Sequence, residues 1–256
     1  MCGRYLITSA PEALRALFRY LDQPNFPPRY NVAPTQPVPI VRMWEGERRF
    51  ALVRWGFVPA WARDPREFSL LFNARGDTAA EKPAFRNAMV RRRCLFPADG
   101  FYEWQADGSR KRPFAVLPKD GKPVAFAGVW EAWIGPNGEE VETAAILTTD
   151  ANATLRHIHS RMPAILPPEA FADWLDCAGV DARAATRLLV PAPDDLLVAY
   201  EVSTAVNRAA NDSPDLLAPV THAAPVERHQ AADHAAPTQR PARARAKVDS
   251  GQGSLF

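Results

Sequence analysis

The chain has 256 residues, enough for one large domain or one domain with a tail. Its 31 Lys and Arg against 29 Asp and Glu leave a net charge of +2, which excludes a bulk field as the device that selects a polyanionic partner. Three scattered cysteines, Cys2, Cys94 and Cys177, exclude a disulfide framework, and no run approaches the roughly 20 apolar residues of a membrane span. Residues 2–20 hold Arg4, Glu12, Arg15 and Arg19, so no signal peptide is expected, and a cytoplasmic, nucleoid-associated setting fits best.

The first distinctive stretch is Met1-Cys2-Gly3-Arg4-Tyr5. Loss of Met1 would leave Cys2 with a free α-amine and a thiol on one residue, with reference pKa values of about 7.7–8.0 and about 8.5. Such an amine condenses with an aldehyde to a Schiff base, and the β-thiol can then close a five-membered thiazolidine. Cysteine is also among the most buried residue types, so a core position is the bland alternative. Residues 9–21 read as an amphipathic helix, with Ser9 as N-cap, Glu12 completing a capping box and Leu14, Leu17, Phe18 and Leu21 on one face. The helix is expected to hold Cys2 at a fixed address.

The Pro-rich run from Pro24 to Pro39, which contains Asn31-Val32-Ala33-Pro34-Thr35, predicts an ordered, extended loop. Val38–Met43 and Arg49–Trp55 read as paired strands around Glu45-Gly46. Trp55 and Trp61 flank Gly56-Phe57-Val58-Pro59, outside any helical period, and form either a stacking platform for bases or part of the core. Asn73-Ala74-Arg75 follows, and Arg91, Arg92 and Arg93 read as a solvated face or as phosphate forks. Asp99-Gly100-Phe101-Tyr102-Glu103-Trp104 sets a carboxylate among aromatic rings, an environment that suits general acid–base work, although a plain strand-end Glu reads the same.

Phe114–Leu117, Val124–Trp130 and Glu142–Thr148 read as strands, with turns at Asp120-Gly121 and Asn137-Gly138. His157 and His159, at i and i+2, would share one face of a strand, but no third ligand motif accompanies them, so no metal is expected. Glu169–Leu175 reads as a short helix and Leu196–Val202 as a closing strand. From about residue 221 the composition turns to Ala, Pro, His, Gln and Arg, and residues 223–251 are expected to be disordered.

Together these motifs resemble the SOS-response-associated peptidase (SRAP) family, the abasic-site-processing proteins that crosslink to DNA. The resemblance covers about residues 2–220 and rests on six ordered stretches: Met1–Arg4, Asn31–Thr35, Trp55–Pro59, Asn73–Arg75, Pro97–Trp104 and His159–Pro163. It implies one mixed α/β (α+β) domain over residues 1–220, with a strongly bent, barrel-like antiparallel sheet and a channel for single-stranded DNA. It also implies roles. Cys2 is the nucleophile, Asn73 positions the N-terminus and the opened sugar, Glu103 transfers protons, and His159 assists ring opening. Arg4, Arg75 and Arg161 hold phosphates, while Trp61 and Trp104 stack on bases beside the lesion. No cofactor is implied, and the chain is expected to act as a monomer.

The same residues allow a rival, an N-terminal-nucleophile peptidase or amidase. A non-catalytic single-strand binding module is a third reading. The tail, residues 221–256, ends in Gln252-Gly253-Ser254-Leu255-Phe256. This resembles the motif by which bacterial repair proteins dock on the replicative sliding clamp, with Gln252, Leu255 and Phe256 as contacts. Gly253 departs from the usual apolar second residue.

Overall fold

The alternating strands read between residues 38 and 148 close on themselves. The structure is a computed structural model that describes residues 2–66 and 69–220. The chain begins with strand β1 (Arg4–Ile7), helix α1 (Pro11–Phe18) and β2 (Arg29–Val32), followed by a hairpin of β3 (Pro37–Trp44) and β4 (Glu47–Trp55). Next come β5 (Asn73–Arg75), helix α2 (Arg86–Arg91), β6 (Arg93–Ala98) and the hairpin of β7 (Gly100–Asp107) and β8 (Arg110–Pro118). Then β9 (Val124–Ile134), β10 (Glu140–Asp150), β11 (Arg161–Pro163) and β12 (Ile165–Leu166) precede helices α3 (Phe171–Leu175) and α4 (Ala182–Thr186) and strand β13 (Leu197–Glu201).

Strands β4, β3, β6, β9 and β10 pair in that order, and β10 returns to β4, so five strands form a closed barrel. The mixed α/β class and the bent, barrel-like sheet are as expected. The closing pair is parallel rather than antiparallel, with Thr143 opposite Arg54 and Ala144 opposite Trp55. A parallel pair needs a long connection, and residues 56–139 supply it. A second sheet, β13-β8-β7-β1-β2, is antiparallel throughout. The barrel core holds Val38, Ile40, Val41, Phe96, Phe126 and Ile146, all sealed from solvent. Tyr5 from β1 reaches this core and packs edge-on against Trp55 at 5.3 Å. Gly128 on β9 leaves room for the Phe96 ring, since a Cβ there would stand 2.3 Å from it.

Several expectations need correction. Helix α1 is shorter than residues 9–21, because Arg19 turns left-handed at φ 56° and ends it at Phe18. Leu14 and Phe18 are buried, but Leu21 lies beyond the helix and is exposed. Ala10 occupies the N-cap position. Ser9 instead joins the backbone of Thr8 in a clasp on the Asp99 carboxylate. Part of the Pro-rich run is paired, as β2 and the start of β3. His157 and His159 do not share a strand, because residues 152–159 wind through turns held by bonds such as Arg156 N–H to Asn152 O. The proposed tail and its contacts Gln252, Leu255 and Phe256 lie outside the described residues.

Candidate active site and nucleic-acid interface

Cys2 sits just before β1, and β1 is locked between β2 and β7, with Tyr5 opposite both Val32 and Phe101. The residue is completely buried. Its carbonyl accepts a 2.7 Å hydrogen bond from Nδ2 of Asn73. Asn73 is delivered by β5, which lies parallel to β10 with Asn73 opposite Ile146. The other amide atom of Asn73, Oδ1, is buried and has no hydrogen-bond partner among the described residues. Burial pushes the Cys2 thiol well above its ordinary pKa, and the negative charge of Glu103 pushes it further. The Glu103 carboxylate therefore lies within electrostatic reach of the thiol.

Glu103 follows Tyr102 on β7 and is buried, with 3% exposure. It lines a pocket of about 350 Å³ together with Trp104, Lys111, His159 and Asn207. That volume lies at the small end of ligand sites. Nδ1 of His159 accepts the backbone N–H of Arg161 at 2.9 Å. Nδ1 also stands 3.2 Å from the Arg161 carbonyl, so both backbone groups of Arg161 orient the ring. Trp104 is oriented by its indole N–H, which donates to Oδ1 of Asn207 at 2.8 Å.

The two tryptophans read together in the sequence separate. Trp55 is fully buried in the core, while Trp61 is 56% exposed. Trp61 borders a second pocket of about 430 Å³ that also holds Asn73, Arg75, Lys82 and Phe85. Trp61 and Trp104 thus each border a pocket, Trp61 the one that holds Asn73 and Trp104 the one that holds Glu103.

The three arginines expected on phosphates all have partners within the protein. Arg4 donates to Asn31 Oδ1 at 2.9 Å and to the carbonyls of Val206 and Asn207. Arg75, well exposed, pairs with Asp77 at 2.7 Å. Arg161 donates to Asp150 at 2.7 Å and to the Thr148 carbonyl at 2.6 Å. The Arg91–Arg93 run divides. Arg91 is exposed, Arg92 pairs with Glu131 at 2.8 Å, and Arg93 is buried as a structural cation.

Lys111 and Asn207 are site residues that reading the sequence misses. Lys111 lies just ahead of Phe114, where the strand is read to begin, although Asp107-Gly108 is a hairpin signal that would have placed it opposite β7. Asn207 carries no sequence signal, since it lies on a 3₁₀ turn (Thr204–Asn207) brought in by tertiary contacts. A larger apolar groove around Leu17, Leu166 and Phe171 holds none of the expected site residues. No cluster of three metal-ligating side chains occurs among the described residues.

Three comparisons bear on this site. The family model described as SOS response associated peptidase (SRAP) matches residues 1–209. The abasic site processing protein YoqW of Bacillus subtilis (strain 168) is 38% identical over 221 residues, covering 85% of this chain and 99% of that protein. The abasic site processing protein HMCES of Xenopus tropicalis is 31% identical over 265 residues, covering 86% and 78%. A crystal structure of a protein from Bacteroides thetaiotaomicron superposes with a TM-score of 0.77 at 27% identity, covering 86% of this chain and all of that one.

Proposed function

This chain belongs to the SOS response associated peptidase (SRAP) family, and from that premise we propose that it captures abasic sites in single-stranded DNA as a covalent adduct on Cys2. An abasic site is an aldehyde held mostly as a closed hemiacetal. Opening it removes the proton of the C1′ hydroxyl and returns one to O4′, a task for a paired acceptor and donor. Glu103 and the imidazole of His159 line one pocket and supply that pair. The α-amine of Cys2, freed of Met1, then adds to C1′ and expels water to form an imine. The thiol adds to the imine carbon, and its proton passes to the nitrogen, closing a thiazolidine. The net change is loss of one water, with no oxidation or reduction.

The observation that carries this reading is the grip of Asn73 on the carbonyl of the buried Cys2 at 2.7 Å. Trp61 and Trp104 serve as platforms for the bases that flank the lesion. Arg4, Arg75 and Arg161 shape the wall of the channel, with Arg75 the most exposed of the three to a passing phosphate.

Mass spectrometry after mixing with an abasic oligonucleotide tests the proposal. A heat-stable adduct localised to Cys2 is expected, lost when Met1 is retained. Cys2→Ser keeps the amine and loses the ring, so only a labile imine, trappable by borohydride, is expected. A heat-stable adduct from Cys2→Ala would overturn the thiazolidine. Turnover of a peptide amide with no adduct would favour the N-terminal-nucleophile hydrolase instead. We further propose that Gln252, Leu255 and Phe256 dock on the sliding clamp, supported by the apolar Leu255-Phe256 pair after a long polar run. A labelled peptide of residues 245–256 titrated against the clamp, with a Leu255→Ala/Phe256→Ala control, decides that point.

A further inference from the structure

Arg4, Arg75 and Arg161 each have intramolecular partners, so the pocket's supply of uncommitted positive charge lies elsewhere. Lys111 lines the same pocket as Glu103 and His159. It is exposed, and it makes no hydrogen bond or ion pair among the described residues. Its place follows from the β7–β8 register, in which Trp104 faces Pro113 and Ala106 faces Lys111. Residues two apart on a strand share a face, so Lys111 projects on the same side as Trp104. It is the diagonal neighbour of that tryptophan, roughly 7–8 Å away across the ladder.

This juxtaposition pairs an aromatic platform with a mobile cation. A base resting on the Trp104 indole leaves its sugar-phosphate beside the ring rather than over it. The four-carbon stem of lysine delivers a point charge to that position without demanding a fixed geometry. The neighbouring Arg112 is not available for the same task, because Glu201 holds it in an ion pair.

We propose that Lys111 binds the phosphodiester next to the abasic sugar while Trp104 carries the adjacent base, a proposal that rests on the DNA-capture reading above. Lys111 thereby selects a lesion embedded in a strand over a free sugar aldehyde, and it moves no proton in the chemistry.

The test uses the full chain and undamaged single-stranded oligonucleotide over a salt series. One phosphate contact on a single strand accounts for a slope of roughly 0.7 in the log–log salt dependence, so Lys111→Ala is expected to lessen the slope by that amount. Lys111→Arg is expected to keep the parent slope, and Lys111→Glu to weaken binding beyond Lys111→Ala. With abasic DNA well below saturation, the crosslinking rate of Lys111→Ala should fall by the same factor as its DNA affinity, since ground-state binding is what the substitution removes. Equal slopes for Lys111→Ala and the parent would overturn the proposal. So would an unchanged slope with a crosslinking rate lowered more than about tenfold, which would make the lysine part of the chemistry. A parent that binds DNA and leaves no adduct overturns the covalent reading while the slopes still judge Lys111. A parent that binds no single strand overturns both.

Discussion

Among the described residues, Asn73 makes one hydrogen bond through Nδ2, to Cys2, and its buried Oδ1 has no partner. Asn73→Asp removes the donor and sets negative charge against the Cys2 carbonyl. The crosslinking rate is expected to fall by up to about 10²-fold, the cost of misplacing a reacting group by an ångström. An unchanged melting temperature in the same variant would assign that loss to positioning. Glu103→Gln keeps the shape and loses the acid–base function, so crosslinking should slow by about 10²–10⁴-fold with little change in DNA affinity. A rate within about threefold of the parent would remove Glu103 from the mechanism. The thiols also separate at this scale. Cys2 and Cys94 are buried and burial raises both pKa values, whereas Cys177 is partly exposed. Alkylation near neutral pH should therefore label Cys177 first, read by peptide mass mapping. The candidate residues could be singled out one by one, because Cys2, Asn73, Glu103 and His159 each stand in a short motif. The partners of Arg4 were not legible, because Val206 and Asn207 lie about two hundred residues away and offer carbonyls, which any sequence has.

At the scale of elements, the strands were legible where turn chemistry marked them. Glu45-Gly46 joins β3 to β4 with both residues at positive φ, as a tight hairpin requires. The start of β8 was missed because Arg110, Lys111, Arg112 and Pro113 lack alternating hydrophobicity. Their strand is imposed by pairing with β7 on one side, and β13 supports the rest of β8 on the other. The Arg91–Arg93 run was ambiguous for a related reason. A buried guanidinium looks the same in sequence as a solvated one. Arg93 donates to the carbonyls of Met89, Trp174, Asp176 and Val180, joining the carboxyl ends of α2 and α3. Arg93→Met would leave those acceptors buried and unpaired. A destabilisation of about 3 kcal/mol or more is expected, checked by urea unfolding. Crosslinking by the fraction that remains folded should be normal, because Arg93 lines neither site pocket.

For the whole molecule, alkali is the revealing perturbant. Cys2, Tyr5, Cys94 and Tyr102 all have pKa values raised by burial, and Tyr20 is pushed up to about 12 by the same cause. Each holds its proton more tightly in the folded chain than in the unfolded one. Their contribution to stability is therefore full below the ordinary thiol pKa of about 8.5 and declines as pH rises above it. Melting temperatures should be level from pH 7 to 8 and fall steadily by pH 10.5, and a flat profile would contradict the burial of these groups. At this scale the barrel was legible only through family resemblance. Strand periodicity gives faces, and it does not give partners. The parallel closure of β4 on β10 leaves no mark in either strand's own sequence.

The distribution of the site along the chain also sets a schedule. Cys2 is pinned by Asn73, Arg4 is gripped by carbonyls at 206 and 207, and β1 waits for β7 to supply its inner neighbour. During synthesis the amino terminus is thus a loose end until some two hundred residues have been joined, roughly 10–40 s at ribosomal speeds. In that interval Cys2 has neither its burial nor its acid–base neighbours. The wide spacing of the site residues thus makes the enclosure of Cys2 one of the last events in the making of the chain.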